Sequence, residues 1–183
     1  MDQRKERKNR SKALIKEAFL ELLQIKEPDE ITVVELCEKA GVNRSTFYAH
    51  YEYMDNLIRE VLWESVKNVF VGFGPQWDLP LDDGGVERTY IDAYLRRFLS
   101  DPTVRRFCTC RNSENFRTLI IRAHVELSLG PSSTPLEYYY AYFHNAGVLN
   151  FLLEWLNNGS AIPKEDVVEI IHEYSKVMYS SHR

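Results

Sequence analysis

Positions 43–51 read Asn-Arg-Ser-Thr-Phe-Tyr-Ala-His-Tyr, which puts Arg44, Ser45, Thr46, Tyr48 and His50 within one short segment. An arginine can bond a guanine edge through two N–H groups, and Ser or Thr hydroxyls reach bases or phosphates. Tyr and His reach phosphate oxygens and fix register on a duplex. Phe47 and Tyr51 are four apart, so on a helix they share a face and leave the polar set outward. Any solvated helix can carry such residues, so the reading depends on the elements that hold them.

Ahead of this segment, Ala13, Leu14, Ala18, Phe19, Leu22 and Leu23 recur at helical spacing from about Asn9 to Lys26, and Pro28 ends that helix. Thr32-Val-Val-Glu35 is a capping-box signature for a second helix. It runs to Ala40 and closes at Gly41, which can take a left-handed conformation. Asn43 is a good N-cap for a third helix, Arg44–Tyr51. Two short helices around a tight Gly turn are the geometry that lays the second one in a major groove.

Net charge is −4, which opposes nucleic-acid binding if spread evenly. It is not. Residues 1–12 hold Arg4, Lys5, Arg7, Lys8, Arg10 and Lys12 against Asp2 and Glu6, a local balance of +4. Screening limits phosphate attraction to about 10 Å, so this basic arm matters more than the total.

Beyond Tyr51 the pattern predicts a fourth helix at 55–71 and a Gly- and Pro-rich loop over 72–85. Further helices fall at about 86–100, 102–110, 113–129, 134–157 and 163–180. Thr134-Pro-Leu-Glu137 is a second capping box, with Pro at the first helical position. No stretch alternates with period two, so the chain reads as all-α, with about nine helices. An N-terminal three-helix unit, 1–54, precedes a helical regulatory and dimerisation domain, 55–183.

The eighth helix is apolar nearly all round and the ninth is wide-faced, so both need a second burial partner. A two-fold dimer formed as a four-helix bundle supplies it, through Leu149, Leu153, Leu156, Val167, Ile171, Tyr174 and Met178. Cys37, Cys108 and Cys110 read as structural thiols, since neither a disulfide framework nor a zinc spacing is present. The composition predicts no membrane span, no secretory leader and a cytoplasmic protein. No phosphate loop, metalloprotease helix or nucleophile elbow occurs, so neither an enzyme nor a metal or cofactor is expected.

Residues 31–51, Ile-Thr-Val-Val-Glu-Leu-Cys-Glu-Lys-Ala-Gly-Val-Asn-Arg-Ser-Thr-Phe-Tyr-Ala-His-Tyr, resemble the N-terminal domain of TetR/AcrR-type regulators. That resemblance implies a dimeric regulator bound to a double-stranded, pseudo-palindromic operator. It makes Thr32 a phosphate contact at the second helix's start. Asn43, Arg44, Ser45 and Thr46 become groove contacts, Tyr48 and His50 phosphate contacts, and Arg4, Lys5, Arg7 and Lys8 the supporting arm. It also implies a small-molecule effector enclosed by the middle helices. Phe70, Tyr90, Tyr94, Phe98, Phe116, Ile120, His124, Tyr139 and His144 are the candidates there, although an ordinary aromatic core would carry the same residues. One departure stands out: Glu52 and Met54 occupy the stretch where the family often places a phosphate-gripping lysine.

Residues 138–159, with Gly147, Trp155 and Gly159, resemble more loosely the C-terminal part of a Firmicute-type subgroup. Some of its members resemble co-activators that work with a dihydroxyacetone-kinase-like protein. A ligand-responsive repressor and a protein-binding co-regulator of weak DNA affinity are therefore both open.

Overall fold

A computed structural model describes residues 3–71, 80–130 and 132–180, apart from the side chains of Arg4 and residues 178–180. Among them are nine α-helices: α1 Gln3–Leu23, α2 Val33–Ala40, α3 Arg44–Tyr48, α4 Met54–Phe70, α5 Arg88–Ser100, α6 Pro102–Thr109, α7 Ser113–Ser128, α8 Pro135–Asn157 and α9 Lys164–Ser180. The all-α expectation holds.

Several boundaries differ from the sequence reading, two of them at the helices nearest the candidate site. Helix α1 begins at Gln3, so the basic arm is its first two turns. Those turns carry no apolar period to announce them, because almost every side chain there is solvated. Helix α3 ends at Tyr48; Ala49 and His50 form a turn that brings Tyr51 back into the core.

A hairpin of two-residue strands, β1 Leu81–Asp82 with β2 Gly85–Val86, occupies the end of the expected 72–85 loop and the first residue of the helix expected from 86; residues 72–79 lie outside the described residues. Asp83 and Gly84 both take positive φ, 44° and 85°, as the tight turn between paired strands requires. The hairpin is pressed on α9: Val86 N–H donates to Ser175 Oγ (2.7 Å), and His172 Nδ1–H donates to Val86 O (2.8 Å). A Cβ on Gly85 would stand 2.7 Å from His172 O, so only glycine permits this approach.

Buried side chains run without a break from Ile15 and Phe19 in α1, through Leu57 and Leu62 in α4, to Ile120 in α7 and Leu149 in α8. A second cluster joins Val86, Ile91, Leu95, Leu152, Trp155 and Val167 beneath α9. The 134–137 capping box forms as read. Glu137 N–H donates to Thr134 Oγ1 (3.2 Å), and Thr134 N–H donates to Glu137 Oε2 (2.6 Å). No helix among the described residues is long and apolar enough to cross a membrane.

Candidate nucleic-acid interface

Thr32 caps α2 through its hydroxyl, which accepts from Glu35 N–H at 3.3 Å. The Glu35 carboxylate does not complete the box; it pairs with Lys26 at 2.7 Å. Gly41 closes α2 at φ 63°, ψ 31°, and Val42 N–H reaches back to Cys37 O at 3.0 Å. That six-to-one bond turns the chain sharply into α3. There the Asn43 Oδ1 accepts from Thr46 N–H (2.8 Å), Thr46 Oγ1 (2.8 Å) and Ser45 Oγ (2.6 Å). Asn43 therefore organises the first turn of α3, and both hydroxyls point back at it.

Phe47 and Tyr51 are buried, with ring centroids 5.7 Å apart, and anchor α3 to the core. Arg44, Ser45 and Tyr48 are exposed on the opposite side, and Thr46 is half-buried. This is the arrangement a groove-reading helix needs: one side bolted down, the other a row of donors.

His50 is placed differently from the expectation. Its Nε2 lies 2.8 Å from Ser11 Oγ, whose hydroxyl donates to Lys8 O. Burial first, then the Lys8 and Lys12 charges, hold the imidazole below its ordinary value, so it is neutral at pH 7. His50 thus joins the end of α3 to α1. Arg4, Arg7, Lys8 and Lys12 lie within one arc of α1 around Ser11, on the face that meets this joint. Lys5, Arg7 and Lys8 are exposed, and the Arg4 side chain lies outside the described residues.

The same face of α1 is fixed to α4. Lys12 pairs with Glu60 (2.8 Å) and Lys16 with Glu64 (2.7 Å), and the Lys12 ammonium stands 5.5 Å from the Tyr51 ring centroid. Partial burial opposes ionisation of Glu60, but Lys12 and Lys16 outweigh it and hold its pKa below the usual carboxylate range. From the other side, Arg106 of α6 donates to Leu23 O, Lys26 O and Glu27 Oε1, which covers open carbonyls at the end of α1.

No family model and no curated protein matches the sequence. Among solved structures, a TetR transcriptional regulator from Rhodococcus sp. RHA1 superposes with a TM-score of 0.62 over 97% of each chain, at 18% identity. The chain has the TetR fold. At that identity the likeness speaks of architecture, and the residues must speak for themselves.

Within this TetR fold the expected effector residues divide three ways. Tyr90, Tyr94 and His144 line a cavity of about 70 Å³, closed by Asn145, Val148 and Ile171. Phe70 and Phe98 pack around His124, which is sealed in the core. Its Nδ1–H donates to Ile120 O (2.8 Å), and its Nε2 accepts from the Tyr94 hydroxyl (2.6 Å). Burial lowers the His124 pKa to about 4. Ile120 is core, Phe116 stacks edge-on to Phe107, and Tyr139 stands 68% exposed, so none of these three lines the cavity.

Most of the expected dimer residues face inward within one protomer. Leu149, Leu153, Val167 and Ile171 are buried inside a single chain, and Leu156 is packed partly against both clusters. The reason is geometric: α8 and α9 turn their most aliphatic stripes onto the protomer's own core. What remains outward is Phe143 (65% exposed), Gly147 and half-buried Phe151 on α8, with Ile170, Tyr174 and Val177 on α9. Between them Gly147, Val148, Phe151, Ile170, Ile171 and Tyr174 form an apolar hollow of about 180 Å³. Of the earlier set Tyr174 and the buried Ile171 line this hollow, and the Met178 side chain lies outside the described residues.

Sequence reading missed Ser11 as the partner of His50. It also missed Tyr53, 63% exposed at the N-cap of α4, where a hydroxyl can meet a phosphate. Neither carries a local pattern that would distinguish it from an ordinary polar residue.

Proposed function

We propose that the protein is a sequence-specific, DNA-binding transcriptional regulator that acts as a homodimer. The observation that carries this reading is α3 itself: buried Phe47 and Tyr51 hold Arg44, Ser45 and Tyr48 outward, beside the basic face of α1. Residues 1–54 form the reading head and 55–183 the regulatory body. Two copies meet through the outward apolar face of α8 and α9. Their heads then read half-sites about 34–36 Å apart on a pseudo-palindromic operator. The protein is a repressor released by an uncharged effector held near Tyr90, Tyr94 and His144, where no charged side chain lines the cavity. At about 70 Å³ that cavity takes only a few heavy atoms unless it widens, since a cavity of about 150 Å³ is needed for benzene.

Site selection from a random duplex pool tests the reading. The expected result is one enriched, two-fold-related motif. Arg44→Ala with Tyr48→Ala should weaken binding to it by roughly tenfold to a hundredfold, the worth of one bidentate base contact and a phosphate contact. Selection that enriches nothing would overturn the DNA-reading claim.

One observation favours a second reading, a co-regulator that works through a protein partner. Met54 is half-buried against the core and Glu52 is exposed, so the entrance to α4 offers no cation to a phosphate. Recovery of a stable protein partner, together with absence of salt-sensitive DNA binding, would select it.

A further inference from the structure

Helices α4 and α7 pack along a seam whose outer side is open, lined by none of the residues of α3, α8 or α9. Two hollows lie on it. The larger, about 590 Å³, runs from Pro28 and Ile31 across Ile58 to Phe116 and Leu119. The smaller, about 110 Å³, holds Leu62, Trp63, Arg122 and Glu126. Both include Arg59 and Leu119, so they form one groove with a guanidinium at its waist. The larger part alone is within the range of small-molecule sites, roughly 300–1,000 Å³.

The groove brings two cationic side chains together on facing helices. Arg88, Arg96, Arg106 and Arg111 are each held by a carboxylate. Among the described residues Arg59 and Arg122 have no ion-pair or hydrogen-bond partner, although Asp55 and Glu126 stand one helical turn away on their own helices. Two solvated guanidinium groups on facing helices, neither neutralised by a protein carboxylate, can share one anion, and planar N–H forks match a carboxylate or phosphate. The half-buried Trp63 supplies an aromatic wall beside them, already carrying the Lys67 ammonium 5.3 Å from its ring centroid. Asp29 and Asp55 rim the far end of the larger hollow and would repel a second anionic group there.

We propose that the α4–α7 groove binds a small organic monoanion, its charged head between Arg59 and Arg122 and its apolar tail along Ile58, Phe116 and Leu119. The larger hollow also touches Pro28 and Ile31, immediately before the Thr32 cap of α2. A bound tail therefore touches residues of both the 1–54 and the 55–183 segments. This site is separate from the Tyr90–His144 cavity and stands whether or not the protein reads DNA.

Calorimetric titration of decanoate into the purified full chain tests it. Saturable binding of one decanoate per chain is expected, with 1-decanol about tenfold or more weaker because it lacks the charge. Arg59→Gln with Arg122→Gln, both at exposed positions, should cost decanoate about tenfold or more and leave decanol unaffected. If the double variant melts early, Arg122→Gln alone must still weaken decanoate selectively. Absence of saturable binding, equal affinity for the two probes, or an undiminished affinity in the arginine variants overturns the proposal.

Discussion

Gly41 takes a left-handed backbone, yet no atom lies within 4 Å of where its Cβ would stand. Space is not what selects glycine there; the positive φ is. Gly41→Val should therefore lower stability by about 1–2 kcal/mol, the cost of a left-handed L-residue, with Gly41→Asn costing less. Urea unfolding midpoints measure this, and a neutral valine would mean the turn is remade another way. His124 makes a second residue-scale case. Its pKa is about 4 in the fold, against about 6.5 for an unfolded histidine. The folded state thus binds fewer protons between those values. The stabilisation is complete above pH 6.5 and is lost as pH falls toward 4, about 3 kcal/mol in all. Replacing His124 with Leu should flatten the fall in unfolding free energy between pH 7 and pH 4.5, even though it lowers stability at pH 7 by orphaning the Tyr94 hydroxyl.

At the scale of elements, α8 separates two jobs on two faces. Leu149, Leu152 and Leu153 face inward, whereas Phe143, Gly147 and Phe151 face out beside Ile170 and Val177 of α9. Charged residues on the outer face should leave the protomer folded and prevent pairing. Phe143→Lys with Phe151→Glu is expected to give a monomer by sedimentation, with a thermal melt that no longer depends on concentration. Leu153→Asp, by contrast, buries an unpaired carboxylate and should abolish folding. If the double variant still sediments as a dimer, the interface lies elsewhere. The α1 clamp belongs to the same scale. Lys12 and Lys16 tie the middle of that helix to α4 and Arg106 ties its end to α6, so the N-terminal unit is held to the body by ion pairs and hydrogen bonds.

For the whole molecule, an acidic chain keeps a local surplus of cations in residues 1–12. Exposed Lys5, Arg7, Lys8 and Arg44 gather at the head, while carboxylates dominate the rest and carry the total to −4. Duplex binding should then depend steeply on salt. Lys8→Gln should weaken all duplexes about equally and reduce the logarithmic salt slope by about 1. A slope unchanged by Lys8→Gln would remove α1 from the interface and leave α3 to act without it.

The sequence by itself determined what is local. Capping residues Asn43 and Thr134 fixed helix starts, Gly41 a helix end, and the Phe47–Tyr51 pair the orientation of α3, because each acts within one or two turns. The hairpin signal was present in Asp83-Gly84, but two-residue strands are too short to show any period. The solvated start of α1 was silent for a related reason: a helix without an apolar stripe leaves no mark. Only the tertiary structure decided which apolar side of α8 meets the core, since both sides are hydrophobic and periodicity cannot rank them. It alone turned His50 toward Ser11, sealed His124 behind Tyr94, and left Arg59 and Arg122 unpaired over one groove. Each of these joins residues distant in the chain, and no local pattern encodes such a meeting.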